Sequence, residues 1–222
     1  SPPGLQNTAK WGTTANCRQP RPVNSPGNLL SQRPNLLSML ENLRTFFLKR
    51  LLRRTLAGQN RQRKVYTIQS ARTIAILFDA TEEKDRKDVL ALVELWQEEH
   101  RKKVRLLGFV DNKQPLGQTQ FPQFTPKDLK WNGTLVSEAA NTFLEDKPDL
   151  LLCLNKNQVL PLAWVAAASK AAMKIGSATP PPHDFDMVLE TPAEKGVRFF
   201  VDQLELYLNK IVPSKHESAS AL

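Results

Sequence analysis

The chain has 222 residues, enough for one domain of ~150 residues with tails but not for two full domains. Its apolar fraction of 41% and formal charge of +9 exclude collagen-like, coiled-coil and wholly disordered chains. Two cysteines, Cys17 and Cys153, and three widely spaced histidines argue against a disulfide scaffold, a thiolate zinc cluster and a metalloenzyme. No apolar run approaches the ~20 residues that a membrane span requires.

The basic charge is concentrated in the N-terminal third of the chain. Residues 1–70 hold 12 of the 31 Lys and Arg residues but only one of the 22 acids, Glu41. The rest of the chain is therefore a near-neutral domain, and only an N-terminal arm is basic enough to bind an anionic partner.

Both ends of the chain are predicted to be disordered. Residues 1–35 are rich in Pro, Gly, Asn, Gln and Ser and show no apolar period, and residues 213–222 form a polar tail. The first methionine is Met39, so we hypothesise that the native product starts near it and that residues 1–38 are a non-native leader.

A basic amphipathic helix is predicted over residues 36–57, followed by a basic stretch to residue 64. Leu36, Leu40, Leu43, Phe47 and Leu51 recur at helical spacing and predict the apolar face. The helix could lie on an anionic membrane, contact RNA phosphates, or pack on the domain or on a second copy. The candidate residues for binding an anionic surface are Arg44, Lys49, Arg50, Arg53, Arg54, Arg61, Arg63 and Lys64.

Residues 70–212 predict a small α/β domain. Apolar strands are expected at 73–78, 104–110, 150–154, 174–176 and 185–189. Helices are expected at 85–100, 137–145 and 161–173, and a last helix reaches Ile211 after a capping box at 191–194. Strands without polar alternation, interleaved with helices, predict a three-layer domain with a parallel sheet, flavodoxin-like or Rossmann-like.

The carboxyl ends of the predicted strands define a candidate site, because parallel α/β sheets bind ligands there. The predicted rim comprises Asp79, Ala80, Thr81, Asp111, Asn112, Asn155, Lys156, Ser177, Thr179 and Thr191. Among these, Asp79 and Asp111 are the catalytic candidates. They could act as an acid and a base, or they could hold Mg²⁺. The alternative is that both simply cap the turns that follow their strands.

Other motifs predict an absence of cofactors and metals. No glycine-rich loop follows the first strand, so we expect no nucleotide cofactor held through its phosphates. His183, Asp184 and Asp186 lack the converging ligands of a metal site. Ser169 and Lys174 could suggest a nucleophile and its base, but their spacing does not place them on one helical face. Ser169 is therefore interpreted as a packing residue and Lys174 as a surface charge.

The connection over residues 112–135 is unusually long and aromatic. Thr125 to Asp128 predicts a helix start, and Phe124, Lys127, Asp128 and Trp131 form a candidate partner loop. The alternative interpretation is that this connection only packs on the domain and docks no partner.

Four segments resemble a known family. They are IAILFD at 74–79, FTPKDLKWNG at 124–133, DLLLCL at 149–154 and SKAAMKIG at 169–176. They look like a family of uncharacterised bacterial proteins, a domain of unknown function found mainly in the Bacteroidota, over about residues 40–212. The resemblance implies a bacterial, cytoplasmic setting and a start near Met39, and it transfers no catalytic residue.

Two functional hypotheses follow. In the first, the protein is a non-enzymatic accessory protein whose basic helix docks to an anionic membrane, to RNA or the ribosome, or to a second copy, either in the cytoplasm or peripheral to the inner membrane. In the second, it is an enzyme acting on a small polar metabolite at the strand ends. A concave pocket with converging polar groups favours the second, and a rim filled by the 112–135 loop favours the first.

Overall fold

The computed structural model describes residues 36–211, apart from residues 99, 113–114, 156, 178–180 and 193–194, with side chains from residue 39 onward. These residues belong to a single compact unit. The predictions for residues 1–35 and 213–222 lie outside the described residues.

The helices and strands alternate through most of the chain. The helices are α1 (Leu36–Ala57), α2 (Glu83–Glu98), α3 (Glu138–Glu145), α4 (Leu160–Ala168) and α5 (Val197–Ile211), with a 3₁₀ turn at Pro126–Asp128. The strands are β1 (Thr73–Asp79), β2 (Lys103–Phe109), β3 (Gln123–Phe124), β4 (Leu150–Leu154), β5 (Met173–Ser177) and β6 (Met187–Leu189).

The six strands form one parallel sheet in the order β3-β2-β1-β4-β5-β6. Of the two predicted alternatives, this is the Rossmann-like order and not the flavodoxin-like one. The chain winds outward in both directions from the neighbouring strands β1 and β4, which makes their junction the topological switch point. The predicted α/β class with a parallel sheet is confirmed.

Helices cover both faces of the sheet, so the core has two parts. On one face, α2 and α5 pack on side chains such as Ile76, Phe78 and Leu152. On the other face, α3 and α4 pack on side chains such as Leu77 and Leu151. The central strand β4 is buried along its whole length, which explains its uninterrupted apolar sequence.

Several predicted element boundaries were wrong. α4 ends at Ala168, because Ser169 turns extended (φ −60°, ψ 145°) and Met173 already pairs with β4. β6 begins at Met187 and not at Phe185. α5 begins at Val197, so Thr191 does not cap it; the other half of that capping box lies outside the described residues.

The predicted apolar face of α1 was also wrong. The side chains buried against the domain are Leu48 and Leu52, whereas Leu40 and Leu43 are 52% and 44% exposed. α1 packs on α4, where Trp164 Nε1 donates a hydrogen bond to Thr55 Oγ1 at 3.2 Å. The buried face could not be identified from the sequence, because apolar residues occupy more than one side of this helix.

Candidate ligand cleft at the strand ends

A cleft of about 300 Å³ opens at the carboxyl ends of the strands, beside the β1–β4 switch point. Six residues of the predicted rim line it, namely Asp79, Thr81, Asp111, Asn155, Ser177 and Thr191. Ala80 is buried and Asn112 is exposed outside the cleft, while Lys156 and Thr179 lie outside the described residues. The cleft therefore lies where the parallel topology brings the carboxyl ends of the strands together.

The turn after β1 holds two of the cleft residues in place. Asp79 Oδ1 accepts a hydrogen bond from the backbone N–H of Thr81 at 3.0 Å. Thr81 Oγ1 accepts one from the N–H of Asp111 at 3.0 Å, which ties the end of β1 to the end of β2. Arg86 Nη1 donates to the carbonyls of Ala80 and Thr81 at 2.7 and 2.8 Å. Asp79 thus caps its turn through one oxygen and also lines the cleft.

The ends of β4 and β5 are joined by a second hydrogen-bond network. The backbone N–H of Asn155 donates to Ser177 Oγ at 3.2 Å, and this hydroxyl donates back to the Asn155 carbonyl. Asn155 Nδ2 donates to the carbonyl of Asn157 at 2.6 Å. These bonds fix an amide and a hydroxyl at the edge of the cleft, on adjacent strands.

The remaining wall comes from α2 and the start of α5. Asp85, in the first turn of α2, lines the cleft and is only 8% exposed, and Lys195, in the segment before α5, lines it as well. The floor is apolar and includes Phe78, Leu154 and Phe200. Neither Asp85 nor Lys195 was predicted, because both depend on how the helices pack and not on where a strand ends.

The cleft is acidic. In the described part of its lining, four carboxylates, from Asp79, Glu82, Asp85 and Asp111, accompany one ammonium group, that of Lys195. Acids also occupy the N-terminus of α2, where a Rossmann-type site would hold a phosphate, and they already satisfy the positive end of the helix dipole. Within the described part of the chain, no group of three or more His, Cys, Asp or Glu side chains is placed to hold a metal ion.

The described residues of the long 112–135 connection pack on the sheet and do not fill the cleft. The Phe121 ring lies 5.2 Å from the Phe78 ring, edge to face. It fits over Gly108, where a Cβ would lie 2.6 Å from a ring atom of Phe121. The described residues of this connection are absent from the cleft lining, so the rim stays open.

Two of the four candidate partner-loop residues have structural roles. Phe124 is fully buried and packs on Phe109 at 5.1 Å, so its assignment to a docking loop was wrong. Asp128 Oδ2 accepts a hydrogen bond from the Thr125 N–H at 2.7 Å, which completes a capping box for the predicted helix start. Lys127 and Trp131 are exposed, and their contact with a partner stays a prediction.

Two of the eight candidate surface bases, Arg61 and Arg44, are engaged within the protein. The Arg61 side chain is 3% exposed, and its guanidinium donates to the carbonyls of Ala172 and Asp184, both at 2.9 Å. Arg44 Nη2 donates to the carbonyl of Pro126 at 2.7 Å and to that of Leu129. Both assignments to an anionic surface were therefore wrong. The other six bases are exposed: Lys49, Arg50, Arg53, Arg54, Arg63 and Lys64.

Lys174, predicted to be a surface charge, is completely buried in β5. Its Nζ donates to the carbonyl of Ala167 at 3.1 Å and to Asp184 Oδ2 at 2.7 Å. Burial lowers the pKa of Lys174, and the ion pair with Asp184 opposes that effect. Asp186 accepts a 2.7 Å hydrogen bond from Arg61 Nη2, so both carboxylates of the 183–186 segment neutralise buried bases.

Within the described residues, no helix combines the length and apolar character needed to cross a lipid bilayer.

Comparison with protein families matches residues 44–211 to a family of unknown function, DUF6913. Comparison with curated proteins and with solved structures gave no match. The match includes the whole sheet and all the helices that cover it, and it agrees with the resemblance predicted over about residues 40–212. The chain therefore belongs to this family of unknown function.

Proposed function

We propose that this protein binds a small polar metabolite in the strand-end cleft. One observation carries the proposal: polar side chains at or just after the ends of four different strands converge on one concave site with an apolar floor. They are Asp79, Asp111, Asn155 and Ser177. A few convergent polar groups above an apolar surface are typical of small-molecule sites, and the volume lies near the lower end of their usual range.

The charge of the cleft indicates the ligand class. Among the described residues that line it, carboxylates outnumber the ammonium group of Lys195, and amide and hydroxyl groups complete the lining. These groups accept hydrogen bonds from amines and hydroxyls, whereas a phosphate or carboxylate ligand would be repelled. The proposed ligand is therefore a hydroxyl-bearing molecule with an amino or guanidino group.

Asp79 and Asp111 are the residues that would act on such a ligand. A carboxylate beside a bound hydroxyl or amine can take up and return a proton, which is the basis of general acid–base catalysis. Binding is the first part of the proposal and catalysis by these two residues is the second. A bacterial, cytoplasmic setting is part of the same proposal. The docking alternative, with attachment to a membrane surface, rests on α1 and not on this cleft.

The test is ligand-dependent stabilisation of the full chain. Thermal unfolding would be recorded against a panel of amines, amino sugars, polyols and amino acids, with sugar phosphates and dicarboxylates as the opposite-charge set. A ligand at 100 times its Kd adds about 2.7 kcal/mol, which raises Tm by roughly 5–10 °C for a domain of this size. We expect cationic hydroxyl compounds to raise Tm and the anionic set to leave it unchanged.

The matched variants are Asp79→Asn/Asp111→Asn in the cleft and Glu94→Gln/Asp202→Asn on exposed positions of α2 and α5. The cleft pair should lose the ligand-dependent shift, and the surface pair should keep it. A panel without any Tm shift, or equal shifts in both variants, contradicts the proposal.

A further inference from the structure

The outward side of α1 carries a row of exposed apolar residues that continues into arginines. At 100° per residue, Met39, Leu43 and Phe46 lie on the side of the helix opposite the buried Leu48 and Leu52. Their exposed fractions are 54%, 44% and 58%. The same row continues into the exposed residues Arg50 and Arg53. We call Met39, Leu43, Phe46, Arg50 and Arg53 the outer stripe.

Trp131 extends the apolar part of the outer stripe from another element. Its side chain is 67% exposed, and its ring meets Phe47 edge to face at 5.8 Å. Phe47 in turn meets Phe46 edge to face at 5.7 Å. Gly133, with a positive φ of 79°, lets this loop approach the backbone of α1, because a Cβ there would lie 2.9 Å from Leu48 N. Trp131 is therefore held beside the helix.

The basic charge around the outer stripe has no acidic counterpart among the residues that the structure describes. Lys49, Arg50, Arg53 and Arg54 are all exposed, and the only acid in α1 is Glu41, near the other end of the helix. Among the described residues, none of these four bases forms an ion pair. A face with exposed apolar side chains at one end and bases at the other matches the interface of an anionic bilayer, where apolar groups enter the acyl boundary and bases meet lipid headgroups.

A second copy of the chain is a poorer match to the same face. Parallel pairing of two outer stripes would bring their arginines together, and like charges in contact are unfavourable. Antiparallel pairing would set the arginines of each copy against the apolar end of the other, which leaves the basic charge without a counter-charge. An anionic lipid surface instead gains from every base that approaches it, and tryptophan is characteristic of the membrane interface.

We propose that the outer stripe and Trp131 dock this protein on the surface of an anionic lipid bilayer. Phe46 and Trp131 enter the headgroup region, while Arg50 and Arg53 bind the anionic headgroups. α1 packs on the α4 side of the sheet, whereas the cleft is walled by α2 and α5. The bound protein would therefore keep its cleft open, and the two proposals can fail independently.

The test is co-sedimentation of the full chain with phosphatidylcholine vesicles, with and without phosphatidylglycerol, at low and high salt. We expect binding only to the anionic vesicles, weakened by salt. Arg50→Gln/Arg53→Gln and Leu43→Gln/Phe46→Gln should each reduce binding about tenfold or more. The charge-matched control Lys84→Gln/Lys210→Gln, on α2 and α5, should bind like the parent protein.

All six substituted positions are exposed, and unchanged thermal unfolding would show that each variant folds. Equal binding by the control and the stripe variants would overturn the proposal, as would equal binding to neutral vesicles. Salt-sensitive binding to bulk RNA without binding to vesicles would assign the bases to nucleic acid instead. Dimerisation abolished by Leu43→Gln/Phe46→Gln, without vesicle binding, would assign the face to a second copy.

Discussion

Lys174 Nζ lies 2.7 Å from Asp184 Oδ2, although Lys174 is completely buried in the sheet and Asp184 lies in the loop ten residues later. Arg61 donates to the same carboxylate and to Asp186. The linker after α1 is thereby held to β5 and to the segment before β6.

Removal of the Asp184 charge should be more damaging than removal of the Lys174 charge. Asp184→Asn leaves a buried ammonium without its counter-ion, which typically costs about 3–5 kcal/mol. Lys174→Met replaces that ammonium with an apolar chain of similar length, and Asp184 keeps Arg61, so the loss should be clearly smaller. Both losses of unfolding free energy can be measured from the urea unfolding midpoints, with the m values unchanged. Equal losses for the two variants would show that the ion pair is not the source of the cost.

Cys153 should be inert in the native protein. Burial raises the pKa of the Cys153 thiol to about 12, so little thiolate exists near neutral pH. In a Cys17→Ser background, the reaction of Cys153 with a disulfide reagent at pH 8 should be roughly a thousandfold slower than in denaturant. The matched control is the unfolded chain under the same conditions. A native rate close to the denatured rate would contradict the burial of β4.

Asp149 should make stability depend on acid pH. Partial burial raises its pKa, but hydrogen bonds from the Thr73 and Arg72 backbone N–H groups and the Thr73 hydroxyl outweigh it, and the pKa is lowered overall. A group with a lowered folded-state pKa stabilises the protein above its unfolded pKa of ~4, and this contribution disappears as pH falls through the folded value. The contribution of Asp149 can be measured as the change in the free energy of unfolding between pH 6 and pH 2. The same acid slope in Asp149→Asn would exclude this residue as its source.

Gly176 should not tolerate a side chain. A Cβ at this position would lie 2.6 Å from a ring atom of Phe185, so Gly176→Ala should cost about 1–3 kcal/mol. The double variant Gly176→Ala/Phe185→Leu should recover part of the loss, as a positive coupling in a mutant cycle. Gly117→Ala is the control, since nothing lies within 4 Å of a Cβ there. Additive costs in the cycle would show that the two residues do not compete for space.

Local patterns predicted the elements and features that depend on short stretches of sequence. β1, β2 and β4 follow from apolar runs, and the cleft residues Asp79, Asp111 and Asn155 follow from the geometry of parallel strand ends. The capping box at Thr125 and Asp128 is equally local. These features needed no knowledge of which helices pack together.

Most of the features that were predicted wrongly depend on contacts between residues far apart in the sequence. Lys174 looks like a surface charge until Arg61 and Asp184, from two other segments, surround it. The buried side of α1 was ambiguous because Leu43 and Leu48 lie on different faces and both are apolar. The strand β3 has only two residues, too few for any periodicity.

The central claim is that the strand-end cleft binds a cationic polar ligand, and its most direct test is an NMR titration of the full chain with a panel compound that raises Tm. We expect saturable shifts concentrated at the amides of Thr81, Asp111, Asn155 and Ser177. In the variant Asp79→Asn/Asp111→Asn, we expect these shifts to be lost. Saturable shifts that cluster at other residues, with these four amides unmoved, would contradict the central claim.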